Sequence, residues 1–465
     1  MRYGLNIAGF HYEQLQQHLF PGDGFEAVAI ALCGRLEVEG LTRLLVHELV
    51  CVPHAICQRT SVAVNWPVAE VIEPLMEKAR GRDLSVLKIH SHPTGFSEFS
   101  ERDDLADNDL FGSLFGWFDE APRPLASAVM LPDGTIFGRV YSSKGAKPIP
   151  FEQVLLAGTQ VQIWSPTDST AEVTQAALRN AQAFGEGTYQ RMHRLKVGVV
   201  GCSGTGSPVV EQLARLNVGH LVLVDPDAVE HKNLNRILNS TAADADAKRN
   251  KVDVLAEAVS SMGFHTRITR FPVNAYDSRD ALMELASCDV LFGCLDSVDG
   301  RELLNLLATY YVLPYFDLGV KFVASADRGI TSVSGVVNYL QPGRSSLQTR
   351  QVYDAEDLRA ASAYRVDPAG HADRVKNQYF KDVPVNRPAV LPVNMYVAAA
   401  AIMELLQRIH HYRHGTEECA QLMLSLHGNY LVASSEAELD VDEHLRSVVG
   451  RGTTTLLLGL VGLQA

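Results

Sequence analysis

Between residues 196 and 294, short runs of branched apolar residues alternate with segments whose apolar residues recur at helical spacing. Strands are expected at 196–201, 220–225, 266–271 and 289–294, and helices at 207–217, 248–262 and 278–286. Such alternation admits one economical solution, a parallel sheet with helices packed on its faces. A helix from Thr170 to Leu195, with a start signal at Ser165–Asp168, leads in. The polar stretch 342–388 predicts a long crossing loop, and a helix from Leu391 to His410 with a strand at 421–427 completes this unit.

The upstream sequence has a different texture. Residues 25–33 and 43–53 read as strands, 68–79 as a helix, 85–93 as a buried strand running into a loop, and 126–141 as a hairpin turning at Pro132-Asp133-Gly134. The expected organisation is a mixed α/β domain over 1–145, a linker with possible strands over 146–174, and the parallel-sheet domain over 175–465. The 41 basic and 54 acidic residues leave a net charge of −13, which argues against nucleic acid or an anionic membrane as partners. Seven scattered cysteines make no disulfide framework, and no apolar run approaches the ~20 residues of a membrane span. A cytoplasmic protein without a signal peptide is the expectation.

In the first domain, His90 and His92 leave the same face of a strand end. Ser100-Glu101-Arg102-Asp103 then reads as a helix start. Two imidazoles and one carboxylate suit zinc with its fourth position left for water, an arrangement of hydrolytic sites. The full string, His-x-His-x7-Ser-x-x-Asp with Pro93 and the upstream strand from Glu26, resembles the JAMM motif of the Mov34/PAD metalloproteases. That resemblance implies His90, His92 and Asp103 as zinc ligands, Ser100 orienting or stabilising the tetrahedral intermediate, and Glu26 taking a proton from the water on zinc. Glu37, Glu39 and Glu48 are the alternatives to Glu26. The bonds cleaved would be peptide or isopeptide bonds after the C-terminal glycine of a ubiquitin-like protein.

In the second domain, the strand Lys196-Val-Gly-Val-Val-Gly201 runs into Cys202-Ser203-Gly204-Thr-Gly206-Ser207-Pro208. Glycines there let backbone approach phosphate at a helix N-terminus. A dinucleotide oxidoreductase could share this loop and Asp225, but it has no reason to carry the Asn233-Leu-Asn235-Arg236 that follows. Together these residues resemble the ThiF/MoeB-type adenylating enzymes of the ubiquitin-activating superfamily, over about residues 175–430. The resemblance implies ATP held by Gly201, Gly204 and Gly206, its ribose by Asp225, and its phosphates by Asn233 and Arg236. Lys251 would neutralise the departing pyrophosphate, Asp296 would hold magnesium, and Arg179 would reach the nucleotide of the opposite subunit in a homodimer.

The sequence also departs from that family. Its two Cys-x-x-Cys pairs for structural zinc are missing, and Pro342-Gly-Arg-Ser-Ser-Leu-Gln stands near the first, so apolar packing is expected to replace the staple. The middle glycine of the loop is Ser203. Residues 320–418 contain no cysteine, so an adenylate is expected to pass directly to an external nucleophile, such as one on a conjugating enzyme, or to a hydroxyl at Ser345, Ser346 or Thr349. Cys202 and Cys294 read as small buried residues. The combined reading is an N-terminal JAMM-type mixed α/β peptidase fused to a Rossmann-like ThiF adenylation domain, in an order resembling bacterial ubiquitin-like gene clusters. Its alternative is a peptidase with a non-catalytic docking domain.

Overall fold

The computed structural model describes residues 1–118, 123–166, 173–325, 329–376, 390–414, 419–460 and 462–463. One unit comprises Met1–Asp168, Tyr310–Val312 and Ser447–Ala465, and the other Ser169–Thr309 and Leu313–Arg446.

The first unit runs β1 (Arg2–Ala8), α1 (Gly9–Leu19), β2 (Val28–Val38), β3 (Leu41–Cys51), the ribbon β4 (Gln58–Arg59) and β5 (Val64–Asn65), α2 (Val68–Arg82) and β6 (Ser85–Ser91). It continues through α3 (Glu101–Leu114), β7 (Leu125–Met130), β8 (Ile136–Tyr141), β9 (Ile149–Pro150), β10 (Gln153–Ala157) and β11 (Val161–Trp164). Nine strands form one sheet in the order β11-β10-β1-β3-β2-β6-β7-β8-β9. Ala29, Ala31 and Cys33 of β2 enter a core with Leu15 and Leu19 of α1. Val28, Ile30 and Leu32 enter another with Ile72 and Met76 of α2 and Phe111 of α3. Burial on both faces is why β2 reads as a continuous apolar run rather than an alternation. β2 and β6 pair antiparallel with Val28 opposite His90, a register that carries Glu26 towards His92.

The second unit begins with α4 (Leu178–Phe184) and α5 (Glu186–Arg194), then β12 (Lys196–Val200), α6 (Gly206–Arg215), β13 (His220–Val224), α7 (Ala242–Asp246), α8 (Lys251–Ser261), β14 (Arg267–Phe271), α9 (Arg279–Ala286) and β15 (Val290–Gly293). After α10 (Val298–Tyr311) come β16 (Tyr315–Ser325), β17 (Gly329–Leu340), α11 (Ala355–Val366), α12 (Pro368–Lys376), α13 (Leu391–His410), β18 (Cys419–Ser425) and β19 (Tyr430–Ser435). The sheet order is β14-β13-β12-β15-β16-β17-β18-β19. Strands β14 to β16 in that order are parallel, and β17 to β19 continue antiparallel. The chain leaves β12 towards β13 on one side and returns to β15 on the other. This reversal opens a crevice beyond the carboxyl ends of β12 and β15, where open α/β sheets bind ligands.

Several expectations change. The possible strands of the stretch 146–174 form as β10 and β11, but they belong to the first sheet, where β10 pairs in parallel with β1. The tail also returns to this unit, where the Gly34 amide donates to the Gly450 carbonyl at 3.1 Å. The domains 1–145 and 175–465 are therefore redrawn at both ends: side-by-side strand pairing, invisible to local periodicity, decides membership. The expected helix 170–195 is broken at Gly185, whose φ of +87° no helix interior accommodates. Residues 167–172, including part of the expected start signal, lie outside the described residues. Stretch 342–388 contains α11 and α12, the former entered by an Asp354–Asp357 capping box, while its residues 377–388 lie outside the described residues. Among the described residues, no helix is long and apolar enough to cross a membrane.

Candidate functional site

In the first unit, His90, His92 and Asp103 form the one group among the described residues whose His, Cys, Asp or Glu ligand atoms could converge on a metal ion, all within 4.8 Å of one another. The strand's alternation delivers the two imidazoles. His90 Nε2 lies 2.9 Å from Asp103 Oδ1, and His92 Nε2 lies 3.4 Å from Asp103 Oδ2. The His92 Nδ1–H donates to the Phe96 carbonyl at 2.7 Å, which fixes the ring with Nε2 turned into the group. That atom stands 3.1 Å from His90 Nε2. Two imidazole nitrogens and one carboxylate thus converge on one point, each nitrogen facing the carboxylate through a proton that a cation can replace, and this donor set fits a zinc-like ion.

Ser100 caps α3 and binds Asp103 reciprocally: its hydroxyl donates to Asp103 Oδ2 at 2.7 Å and accepts from the Asp103 amide at 3.2 Å. Burial acts to raise the Asp103 carboxyl, but hydrogen bonds from His90 and His92 prevail and hold it well below the usual carboxylate range. Ser100 therefore fixes the carboxylate's orientation. Glu26 is buried beside this group, and desolvation, opposed by His92 and reinforced by Asp103, pushes its pKa up to about 7. The Ala27 amide donates to Ser91 Oγ at 2.9 Å, pinning the segment that carries Glu26.

The second unit holds a cavity of about 780 Å³ at the sheet's reversal point. Gly201, Ser203 and Gly204 from the loop, Asp225 and Asp227 after β13, Asn233, Arg236, Lys251 and Asp296 all line it. Gly201 has a φ of +90° and a Cβ there would meet the Cys294 carbonyl at 2.5 Å, so only glycine suits this turn. Two expected phosphate glycines do other work. Gly206 is not in the lining: a Cβ would meet the Gly201 carbonyl oxygen at 1.8 Å, so its smallness closes the loop onto α6. Gly204 lines the cavity but also makes room for Asn394 and Arg236 beside it.

Asp225 is buried and braces the loop, its Oδ2 accepting the Cys202 amide at 2.7 Å and its Oδ1 the Asp227 amide at 2.9 Å. Lys251 is buried, with Nζ 2.6 Å from Asp227 Oδ2 and 3.5 Å from Asp225 Oδ1. Burial alone would lower its pKa, but Asp225 and then Asp227 raise it, so the ammonium stays charged. Asn233 is buried and accepts the Glu230 amide at 3.2 Å, while Arg236 donates to the Lys232 carbonyl at 3.0 Å. Asp296 stands exposed beyond β15. Arg179, on α4, is exposed, bonds Gln182 at 3.2 Å and lies outside the lining of its own chain's cavity. Sequence reasoning missed Asn274, Tyr276, Arg301 and Asn394 in the lining. Only Asn394 carried a signal, as an amide among the apolar residues opening α13.

Cys202 is buried and Cys294, half-buried, lines the cavity; desolvation raises both thiols well above the usual range. Ser345 and Ser346 are buried away from the cavity lining. Their hydroxyls donate to Glu436 Oε1 at 2.5 Å and Asp442 Oδ2 at 2.7 Å, and Thr349 donates to the Ser346 carbonyl at 3.2 Å. Near the position of the missing zinc pair the brace is thus polar as well as apolar. Arg350, buried, pairs with Glu436 Oε2 at 3.0 Å and donates to Ser345 Oγ and the Ala420 and Tyr339 carbonyls at 2.8–2.9 Å.

Residues 176–439, more than half of the chain, match the model of the ThiF family, and the chain belongs to that family. It is similar to ubiquitin-like modifier-activating enzyme 5 of Culex quinquefasciatus, 26% identical over 169 residues that cover 34% of this chain and 40% of that protein. The corresponding protein of Drosophila virilis is 27% identical over 166 residues, covering 33% and 39%. The chain thus spans about two-fifths of the length of these relatives. Among solved structures, Escherichia coli MccB with ATP aligns at 18% identity and a TM-score of 0.42, over 57% of this chain and 72% of MccB. PaaA aligns at 19% identity and a TM-score of 0.43, covering 59% and 86%.

Proposed function

We propose that the second unit adenylates the C-terminal carboxylate of a ubiquitin-like protein with ATP and magnesium, and that the first is a zinc-dependent peptidase of the JAMM type acting on the same protein. One observation carries the first part: in a ThiF-family domain, the glycine loop, Asp225, Asn233, Arg236, Lys251 and Asp296 surround one cavity at the sheet's reversal point. Val200, Val224 and Leu304 in its wall suit a base ring, and Asp225 suits the ribose hydroxyls. The substrate carboxylate attacks the α-phosphorus, a P–O bond to it forms, the α–β P–O bond breaks, and pyrophosphate carries the bonding electrons away. Arg236 and Lys251 offset the anionic charge gathered there, and the Asp296 carboxylate would hold magnesium. Arg179 serves the neighbouring subunit's nucleotide in a homodimer, and the acyl group passes to an external nucleophile, such as one on a conjugating enzyme.

The motif and the convergence of His90, His92 and Asp103 beside Glu26 support the peptidase. A bound zinc would supply an acidified water and polarise the scissile carbonyl. Glu26, near neutrality in pKa, accepts a proton from water and delivers it to the leaving amine, while Ser100 holds Asp103 in place. ATP–pyrophosphate exchange with a purified ubiquitin-like partner tests the adenylation. Exchange that disappears in Lys251→Ala is expected; its absence in the wild-type chain with several such partners would favour the docking alternative.

A further inference from the structure

Asn394 stands out among the groups that line the cavity. It lies on the first turns of α13, is 1% exposed, and belongs to a segment far in sequence from the glycine loop. A Cβ built on Gly204 would lie 2.4 Å from Asn394 Nδ2 and 3.0 Å from Arg236 Cδ, so loop, amide and arginine meet at one corner. Yet that Nδ2 has no hydrogen-bond acceptor among the described residues. A buried donor without a partner is costly, and native structures leave few of them. Such a cost is offset when an incoming group supplies the acceptor.

The chemistry of the corner selects that group. Its donors are an amide N–H, a guanidinium and the amides of a glycine loop at the start of α6, and its glycine leaves no side chain in the way. An anionic oxygen answers all of them; an apolar group or a second donor answers none. We infer that Asn394 is a phosphate-binding residue, whose side-chain amide donates to a phosphate oxygen of the nucleotide alongside Arg236. Gly204 is then small for two reasons, to admit the phosphate and to let α13 bring Asn394 against the loop. The inference rests on the nucleotide reading of this cavity.

The test compares ATP with adenosine, which lacks phosphate, by equilibrium dialysis against the full chain and its Asn394→Ala and Asn394→Asp variants. Asn394→Ala should weaken ATP binding by about ten- to a hundredfold, the range of a charge-assisted hydrogen bond, and Asn394→Asp by more because it sets a carboxylate against the phosphate. Adenosine binding should stay within about twofold of wild type. The melting temperature of the ligand-free Asn394→Ala chain should be unchanged or higher, since an unpaired donor has been removed. ATP binding unchanged in both variants, or ATP and adenosine weakened equally, overturns the inference. So does a ligand-free Asn394→Ala chain that melts several degrees lower and loses both ligands. If the wild-type chain binds neither ligand, the nucleotide reading itself has failed and takes the inference with it.

Discussion

The two sites differ in how their charges are kept before anything binds. In the first unit, His90, His92 and Asp103 already touch one another, and Ser100 and the Phe96 carbonyl hold two of them from behind. In the second, Lys251 pairs with Asp225 and Asp227 in the lining of a cavity of about 780 Å³, and Asn394 Nδ2 has no acceptor among the described residues. The first arrangement is preorganised for one small, highly charged ligand; the second has room for a ligand that must itself bring charge to several separate corners. Preorganisation of three ligands leaves nothing to substitute for any of them, whereas a distributed site degrades by steps.

The largest expected effect therefore lies in the triad. Either His92→Ala or Asp103→Ala should reduce zinc from about one ion per chain to nearly none and abolish peptidase activity, as three protein ligands are the least a catalytic zinc keeps. Glu26→Gln should keep the zinc and lose about a hundred- to ten-thousandfold in turnover, the usual worth of a general base. Metal analysis beside a cleavage assay on a ubiquitin-like fusion separates the two classes. Full cleavage by metal-free protein would break the comparison at its strongest point.

Legibility in the sequence follows the same division. The triad and Ser100 lie within 14 residues, on one strand end and the first turn of one helix, so spacing alone brings them together. Glu26 needed the β2–β6 register as well, and the alternatives at Glu37, Glu39 and Glu48 could not be separated from it without that pairing. In the second unit the alternation of strand and helix revealed the parallel core, because each buried strand there is a short apolar run. The loop, Asp225 and Arg236 followed at fixed offsets from those strands. Asn394 comes from 190 residues beyond Gly204 and reaches it only through the packing of α13, which no local pattern encodes. The β16–β17 hairpin was unread for a related reason: its mixed burial breaks both the strand alternation and the helical period.

A middle-sized effect concerns what replaces the absent Cys-x-x-Cys staple. Glu436→Gln leaves the buried Arg350 guanidinium without its counter-ion and should cost about 3–5 kcal/mol of stability in the second unit. Replacing both, as Arg350→Met with Glu436→Leu, should recover most of that loss, since desolvation of the pair offsets much of its attraction. Urea denaturation followed on the second unit's signal checks both. A double variant no more stable than the single one would mean that the pair's bonds to Ser345, Ala420 and Tyr339, rather than its charge balance, hold the turn.

The smallest effect compares two buried histidines at strand ends. His90 faces a carboxylate; His220, at the start of β13, faces a guanidinium, with Arg267 Nη2 2.8 Å from its Nδ1 and Thr269 Oγ1 2.8 Å from its Nε2. Arginine can only donate, so Nδ1 must accept and the folded imidazole is neutral, with Nε2–H donating to the threonine. Burial, then Lys196 and Arg267, lower its pKa to about 4. In the unfolded chain the group titrates near 6.5, so between these values the unfolded state binds a proton that the folded state refuses. The stabilising contribution is complete above about pH 6.5 and is lost as pH falls towards 4. Wild type should therefore lose up to about 2 kcal/mol more than His220→Gln between pH 6.5 and 5, read as the difference between two series of urea midpoints. Parallel series would show that His220 takes up its proton while folded, which requires the Arg267 contact to open, and the contrast with His90 would then rest on metal binding alone.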